Sequence, residues 1–135
     1  MRNNFYLHLE TMPKGTAQQK RYNRRTGIYF KDNKLQTAEQ TFMWALKPHR
    51  PKSPSEGPVK LTVRFYFDVK DKSRWGKPKL SKPDADNYVK LFIDCMVKTG
   101  HLKDDSIIWD LHVTKEYAEK ATIYVDIEED EGGRP

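Results

Sequence analysis

Between Val59 and Val69 the chain alternates without a break. Val59, Leu61, Val63, Phe65, Phe67 and Val69 fall on one side, and Lys60, Thr62, Arg64, Tyr66 and Asp68 on the other. Successive side chains of an extended strand point to opposite faces, so this run is a strand with one apolar face to bury. Its polar face is left to solvent or substrate. Cover for the apolar face comes from residues 86–98, where Val89, Phe92, Ile93, Met96 and Val97 recur at helical spacing. Tyr88, Leu91 and Cys95 widen that stripe to more than half of the circumference. Pro83 biases Lys82 away from helical backbone, and Gly100 supplies a stop, so the helix is bounded at both ends. A helix this apolar is either central to its own core or packed on a partner subunit.

The remaining elements are shorter. Phe5, Leu7 and Leu9 alternate with Tyr6, His8 and Glu10, giving a strand with one buried face. Met12–Arg25 is polar and basic, Tyr22–Gly27 carries turn residues, and Ile28-Tyr29-Phe30 follows as a short extended piece. Thr37 is the expected cap of a helix running to Leu46, with Ala38, Phe42, Ala45 and Leu46 at helical spacing. Pro48, Pro51, Pro54 and Pro58 make the next segment a loop. Ile107, Trp109, Leu111 and Val113 alternate, as do Ala121, Ile123, Val125 and Ile127, and the short link Thr114–Lys120 predicts an antiparallel hairpin. The order implies an α+β fold: a mixed, largely antiparallel sheet with two main helices. One domain is expected over residues 1–131, with Gly132–Pro135 as a frayed tail.

Composition narrows the partner. The net charge is +6 over 135 residues, and the chain is 33% charged. That balance favours an anionic partner, nucleic acid first and an acidic membrane surface second. No apolar run approaches a membrane-spanning length, and Met1–Glu10 has no signal-peptide pattern, so a cytoplasmic protein is expected. Cys95 is the sole cysteine, which excludes an internal disulfide and a cysteine zinc site; its place in the apolar stripe makes it a core residue. His8, His49, His101 and His112 share no ligand spacing.

Acids gather in one stretch beside a basic loop. Asp84 and Asp86 stand at the start of the apolar helix, where its dipole eases their charge, and Asp104-Asp105 precedes the next strand. Such carboxylates can hold a divalent cation, and surrounding cations can hold phosphates. The local alternatives are ordinary: Asp86 as a helix cap, Asp104-Asp105 as a polar turn, and Lys90 as an i, i+4 ion-pair partner of Asp86. Clustered carboxylates repel one another, and a bound Mg²⁺ would relieve that cost if the strand start approaches Asp84 and Asp86. Lys90 would then stabilise charge on a scissile phosphate. The loop 70–83 carries Lys70, Lys72, Arg74, Lys77, Lys79 and Lys82 around Trp75. Trp75 is either a base-stacking residue or a loop anchor. Lys115 is either a phosphate contact or an exposed lysine.

The run Lys82-Pro83-Asp84-Ala85-Asp86-Asn87-Tyr88-Val89-Lys90, then Asp94, then Gly100-His101-Leu102-Lys103-Asp104-Asp105, then Lys115, resembles the RusA family of Holliday junction resolvases. The first half matches loosely: Thr11-Met12-Pro13-Lys14 stands where the family often has a Gly-x-Pro turn. The resemblance implies a small homodimeric endonuclease of recombination and repair, of a kind often found in prophages. It would cut four-way DNA junctions with Mg²⁺, or Mn²⁺ as the alternative cation. Asp84, Asp86 and Asp105 would bind the metal, Asp104 would support them, and Lys90 would be the catalytic lysine. Lys14, Lys20, Arg21, Arg24, the basic loop with Trp75, and Lys115 would meet DNA. Two other readings stay open: a nuclease of the same fold acting on flaps or forks, and a non-catalytic nucleic-acid-binding protein.

Overall fold

The alternating run becomes the third strand of a four-stranded sheet in the computed structural model, which describes residues 1–14, 20–31 and 33–130, with 20–23 and 29–31 described by backbone alone. The spatial order is β1 (Arg2–His8), β6 (Thr122–Glu129), β4 (Val59–Asp68) and β5 (Ile108–Ala118). β6 pairs antiparallel with both β1 and β4, while β4 and β5 run parallel. The sheet is therefore mixed and largely antiparallel, as expected. A separate two-stranded antiparallel ribbon joins β2 (Lys20–Asn23) to β3 (Ile28–Lys31). Two helices, α1 (Asn33–Leu46) and α2 (Ala85–Lys98), pack against each other and against strands of the larger sheet.

The core lies between sheet and helices. Val59, Leu61, Val63 and Phe65 of β4 are fully buried, and the polar side of that strand leaves Lys60 and Arg64 exposed. α2 buries Tyr88, Val89, Leu91, Phe92, Ile93, Cys95 and Met96, so its wide apolar stripe is used chiefly within its own chain. Four rings meet edge-on at the centre. Phe65 lies 4.7 Å from Tyr88 and 5.6 Å from Phe92, and Phe42 of α1 lies 5.4 Å and 5.2 Å from the same two rings. The negative faces and positive edges of aromatic rings favour this arrangement.

Two expectations are corrected. α1 begins at Asn33, so Thr37 lies inside the helix and caps nothing. Buried Leu35 extends the apolar stripe one turn toward the N-terminus, and the carbonyl of Thr37 accepts from the Thr41 hydroxyl at 2.8 Å. The expected β5–β6 hairpin does not form, because β4 lies between the two strands. Ile123, Val125 and Ile127 are buried, which suits β6 to a place inside the sheet. β5 carries Trp109 and Leu111 exposed at 61% and 43%, and takes the edge. The link from β4 to β5 passes through α2, the kind of crossover that parallel neighbours require.

That crossover orients the helix. α2 leads the chain back along the sheet, against the direction of β5. Its N-terminus sits by the second half of β5, where the Lys115 ammonium donates to the Pro83 carbonyl at 2.7 Å. Its C-terminus closes with a paired turn: the Gly100 N–H donates to the Val97 carbonyl at 3.1 Å and the His101 N–H to the Met96 carbonyl at 2.9 Å. Gly100 has φ 85°, a left-handed conformation that side chains with a Cβ disfavour. Among the described residues, no helix is long and apolar enough to cross a membrane.

Gly100→Ala is expected to cost about 1–2 kcal/mol through backbone strain alone, since a Cβ there meets nothing within 4 Å. Phe92→Ala opens the aromatic cluster and is expected to cost about 3–5 kcal/mol. Urea denaturation of both variants checks the order.

Candidate active site

The first acid stands at the point where loop becomes helix. Lys82-Pro83 is a cis peptide, Pro83 is buried, and Asp84 follows in extended backbone. The Asp84 carbonyl accepts from the Tyr88 N–H at 2.9 Å, which starts α2. Its side chain makes no capping bond and lies 3.5 Å from the Lys82 ammonium, half exposed. Asp86 is inside the first turn, not at the cap. Neither carboxylate is consumed by helix capping.

α2 and β5 enclose a groove of about 560 Å³. Ala85, Asp86, Val89, Lys90 and Ile93 form the helix wall, at the i, i+3, i+4 spacing that puts side chains on one face. Asp105, Ile108, Trp109, Leu111 and Val113 form the strand wall. The structure thus brings Asp86, Lys90 and Asp105 to one groove. It does not bring the carboxylates into one cluster: among the described residues, no three acids, histidines or cysteines are placed to hold an ion together. The antiparallel course of α2 and β5 explains this. Asp84 and Asp86 lie toward the end of the groove near Lys115, and Asp105 toward the end where β5 begins. From Ile108 to Lys115 the strand covers roughly 23 Å. The expectation that the strand start approaches Asp84 and Asp86 within one chain is therefore corrected.

Asp104 has a different task. Its carboxylate accepts from the Ser106 N–H at 3.3 Å and from the Ser106 hydroxyl, capping the short 3₁₀ turn Asp105–Ile107. The Ser106 hydroxyl, then its N–H, hold this carboxyl below the usual range. The polar-turn reading of the pair suits Asp104, while Asp105 stands exposed at the groove. The donors offered to a cation are hard carboxylate oxygens, which fit a Mg²⁺ that keeps several waters.

The basic loop is built onto the edge of the sheet. The Gly76 N–H donates to the Tyr117 carbonyl at 2.8 Å, the Tyr117 N–H to the Lys77 carbonyl at 3.0 Å, and the Lys79 N–H to the Lys115 carbonyl at 3.0 Å. This pairing covers the second half of β5 and leaves Lys70, Lys72, Arg74, Lys77 and Lys82 exposed. Trp75 donates its indole N–H to the Val69 carbonyl at 2.8 Å, the geometry of a loop anchor. Lys115 is half-buried and turned onto main-chain carbonyls. Lys14 and Arg24 are exposed, whereas the side chains of Lys20 and Arg21 lie outside the described residues. The start of that basic segment is tied down: Asp68 accepts from the Thr11 hydroxyl and the Met12 N–H, and the Tyr88 hydroxyl donates to the Pro13 carbonyl.

Sequence reasoning missed Trp109 and Leu111 as groove residues, because strand alternation gave them a buried hairpin face. The β4–β5 register shifts beside Val59 and Lys60, and the Lys60 ammonium lies 5.3 Å from the centre of the exposed Trp109 ring. No local pattern announces that shift.

A conserved-domain profile described as Endodeoxyribonuclease RusA matches residues 10–128. The chain is 36% identical over 133 residues to a crossover junction endodeoxyribonuclease rusA of Lactococcus phage r1t, covering 96% of this chain and 99% of that protein. It is also 38% identical over 95 residues to the uncharacterized protein YqaN of Bacillus subtilis (strain 168), covering 60% of this chain and 64% of that one. A match of this extent, joined to the α2–β5 groove, makes the chain a member of the RusA endodeoxyribonuclease family.

The Asp104 cap has a pH signature. Its folded pKa is depressed, so its contribution is full above the unfolded value of about 3.9 and is lost as pH falls through the lower folded value. Carboxyl NMR titration is expected to show Asp104 ionised below the ordinary aspartate range, and Ser106→Ala to return it toward that range.

Proposed function

We propose that the chain is a Mg²⁺-dependent, homodimeric endonuclease that resolves four-way DNA junctions by paired phosphodiester hydrolysis in the cytoplasm. The observation that carries this reading is the groove in which Asp86 and Lys90, one turn apart, face Asp105 beside a loop of exposed cations. Asp84, Asp86 and Asp105 would hold the cation, which supplies Lewis acidity and a water nucleophile when bound. Lys90 lines the same groove, and its charge would offset the negative charge that builds on the phosphorus oxygens. Lys72, Arg74 and Lys77 follow the sugar–phosphate backbone on the exposed side of the loop.

The separation of the acids supports a dimer. A second copy related by a two-fold axis perpendicular to the groove would bring its Asp105 toward this chain's Asp84 and Asp86, and the reverse. It would also cover the apolar lining formed by Val89, Ile93, Ile108 and Leu111, and the exposed Trp109. Two sites related by a two-fold suit a junction that must be cut symmetrically.

Cleavage of a synthetic four-way junction, with linear duplex and flap controls, tests this directly. Wild type is expected to cut the junction selectively with Mg²⁺, and EDTA to stop it. Asp86→Asn and Asp105→Asn should each lower cutting roughly 100-fold or more while junction binding persists. Normal turnover by either purified variant removes that residue from the site. Tight binding without cutting under any metal makes the protein a binding module, and preferred flap cutting changes the substrate but keeps the chemistry.

Mixing the two inactive variants tests the shared site. If each site takes acids from both chains, a mixed dimer has one intact site and nicks the junction. If each site is built within one chain, the mixture stays inactive. Lys72→Ala with Lys77→Ala is expected to weaken binding and flatten its salt dependence, and an unchanged slope takes this loop off the DNA.

A further inference from the structure

The half-buried Lys115 is the one cation near the acids whose ammonium is held by main-chain carbonyls in the described structure. It donates to the Ser81 carbonyl at 2.9 Å and to the Pro83 carbonyl at 2.7 Å. Two of its three N–H donors are thereby used. Pro83 immediately precedes Asp84, the residue that starts α2. The same loop end has a further tie to β5, where the Ser81 hydroxyl lies 3.5 Å from the Tyr117 hydroxyl, and within the loop the Lys79 ammonium donates to the Ser81 hydroxyl at 2.5 Å. Burial, then the neighbouring Lys79, pull the Lys115 pKa down, and Asp84 acts the other way, which places the carboxylate within electrostatic reach.

We propose that Lys115 is a positioning residue, which clamps Ser81–Pro83 to β5 and so sets where Asp84 stands for the cation. β5 then organises both walls of the groove. It follows directly from Asp105 at its start, and through Lys115 it holds the start of the opposing helix. This role rests on the metal-dependent nuclease reading for its consequence but not for its geometry. It also differs from a phosphate contact, since two of the three ammonium donors are spent on the Ser81 and Pro83 carbonyls.

The test compares wild type, Lys115→Met and the conservative Lys115→Arg in the full chain by two independent readouts. Amide hydrogen exchange followed by mass spectrometry reads the clamp without any metal. Lys115→Met is expected to speed exchange at least ten-fold in peptides covering 79–86, with peptides from β6 unchanged and Lys115→Arg in between. Mg²⁺ titration of junction cleavage reads the consequence: the half-maximal Mg²⁺ concentration should rise at least ten-fold in Lys115→Met, with activity recovering at high Mg²⁺ and junction affinity within two-fold of wild type. Unchanged exchange at 79–86 overturns the clamp. An unchanged Mg²⁺ requirement with weaker binding and a shallower salt slope makes Lys115 a phosphate contact and also overturns it. If Lys115→Met fails to fold, the shorter, neutral Lys115→Gln takes its place in the same two readouts, and wild-type exchange and Mg²⁺ behaviour there overturn the proposal. Loss of protection at 79–86 in a protein whose wild type never cuts junctions would leave the clamp standing and remove the nuclease reading.

Discussion

The contact between β4 and α2 is the constraint on which the rest of this structure depends. Phe65 on the strand and Tyr88 and Phe92 on the helix pack edge to face, with Phe42 of α1 closing the cluster from the other side. Residues i and i+4 of a helix share a face, so burying Tyr88 and Phe92 fixes the helix's rotation about its axis. With that rotation set, Asp86, Val89, Lys90 and Ile93 open toward β5. The candidate site therefore inherits its orientation from a hydrophobic contact that includes none of its acids.

The edge strand carries the second organising task. β5 would present a row of unpaired backbone groups to solvent, a known hazard for edge strands. Its second half is covered by the basic loop, through Gly76, Lys77 and Lys79, so one segment protects the edge and displays cations. The first half keeps Trp109 and Leu111 exposed beside the groove. The division is functional in the proposed reading: one half positions loop and helix, and the other is left for the second copy.

Much of the fold was legible in the chain. Strict alternation in β4 and the i, i+3, i+4 stripe of α2 report burial directly, because each periodicity matches one backbone geometry. The bounds of α2 were legible from Pro83 and Gly100 for the same local reason. Strand pairing was not. Ile107–Val113 and Ala121–Ile127 alternate alike, yet one strand is at the edge and the other inside the sheet, and alternation does not state which neighbour a strand takes. The α1 start was misplaced because Thr37 is a good cap by composition, while the buried Leu35 one half-turn earlier decided the matter.

The acids show the same division between local and distant information. By itself, the amino-acid sequence determined which residue types stand near the helix start and the turn: Asp84, Asp86 and Lys90 on one side, Asp104 and Asp105 on the other, with a cationic loop before them. Residue identity and short spacing are local, so they survive any arrangement of the chain. Only the tertiary structure decided that Asp104 is spent on Ser106, that Trp75 and Lys115 serve the loop, and that Asp105 lies along the groove from Asp86. Those outcomes depend on the direction of α2 against β5, which is set by the crossover and the core packing between segments far apart in the chain.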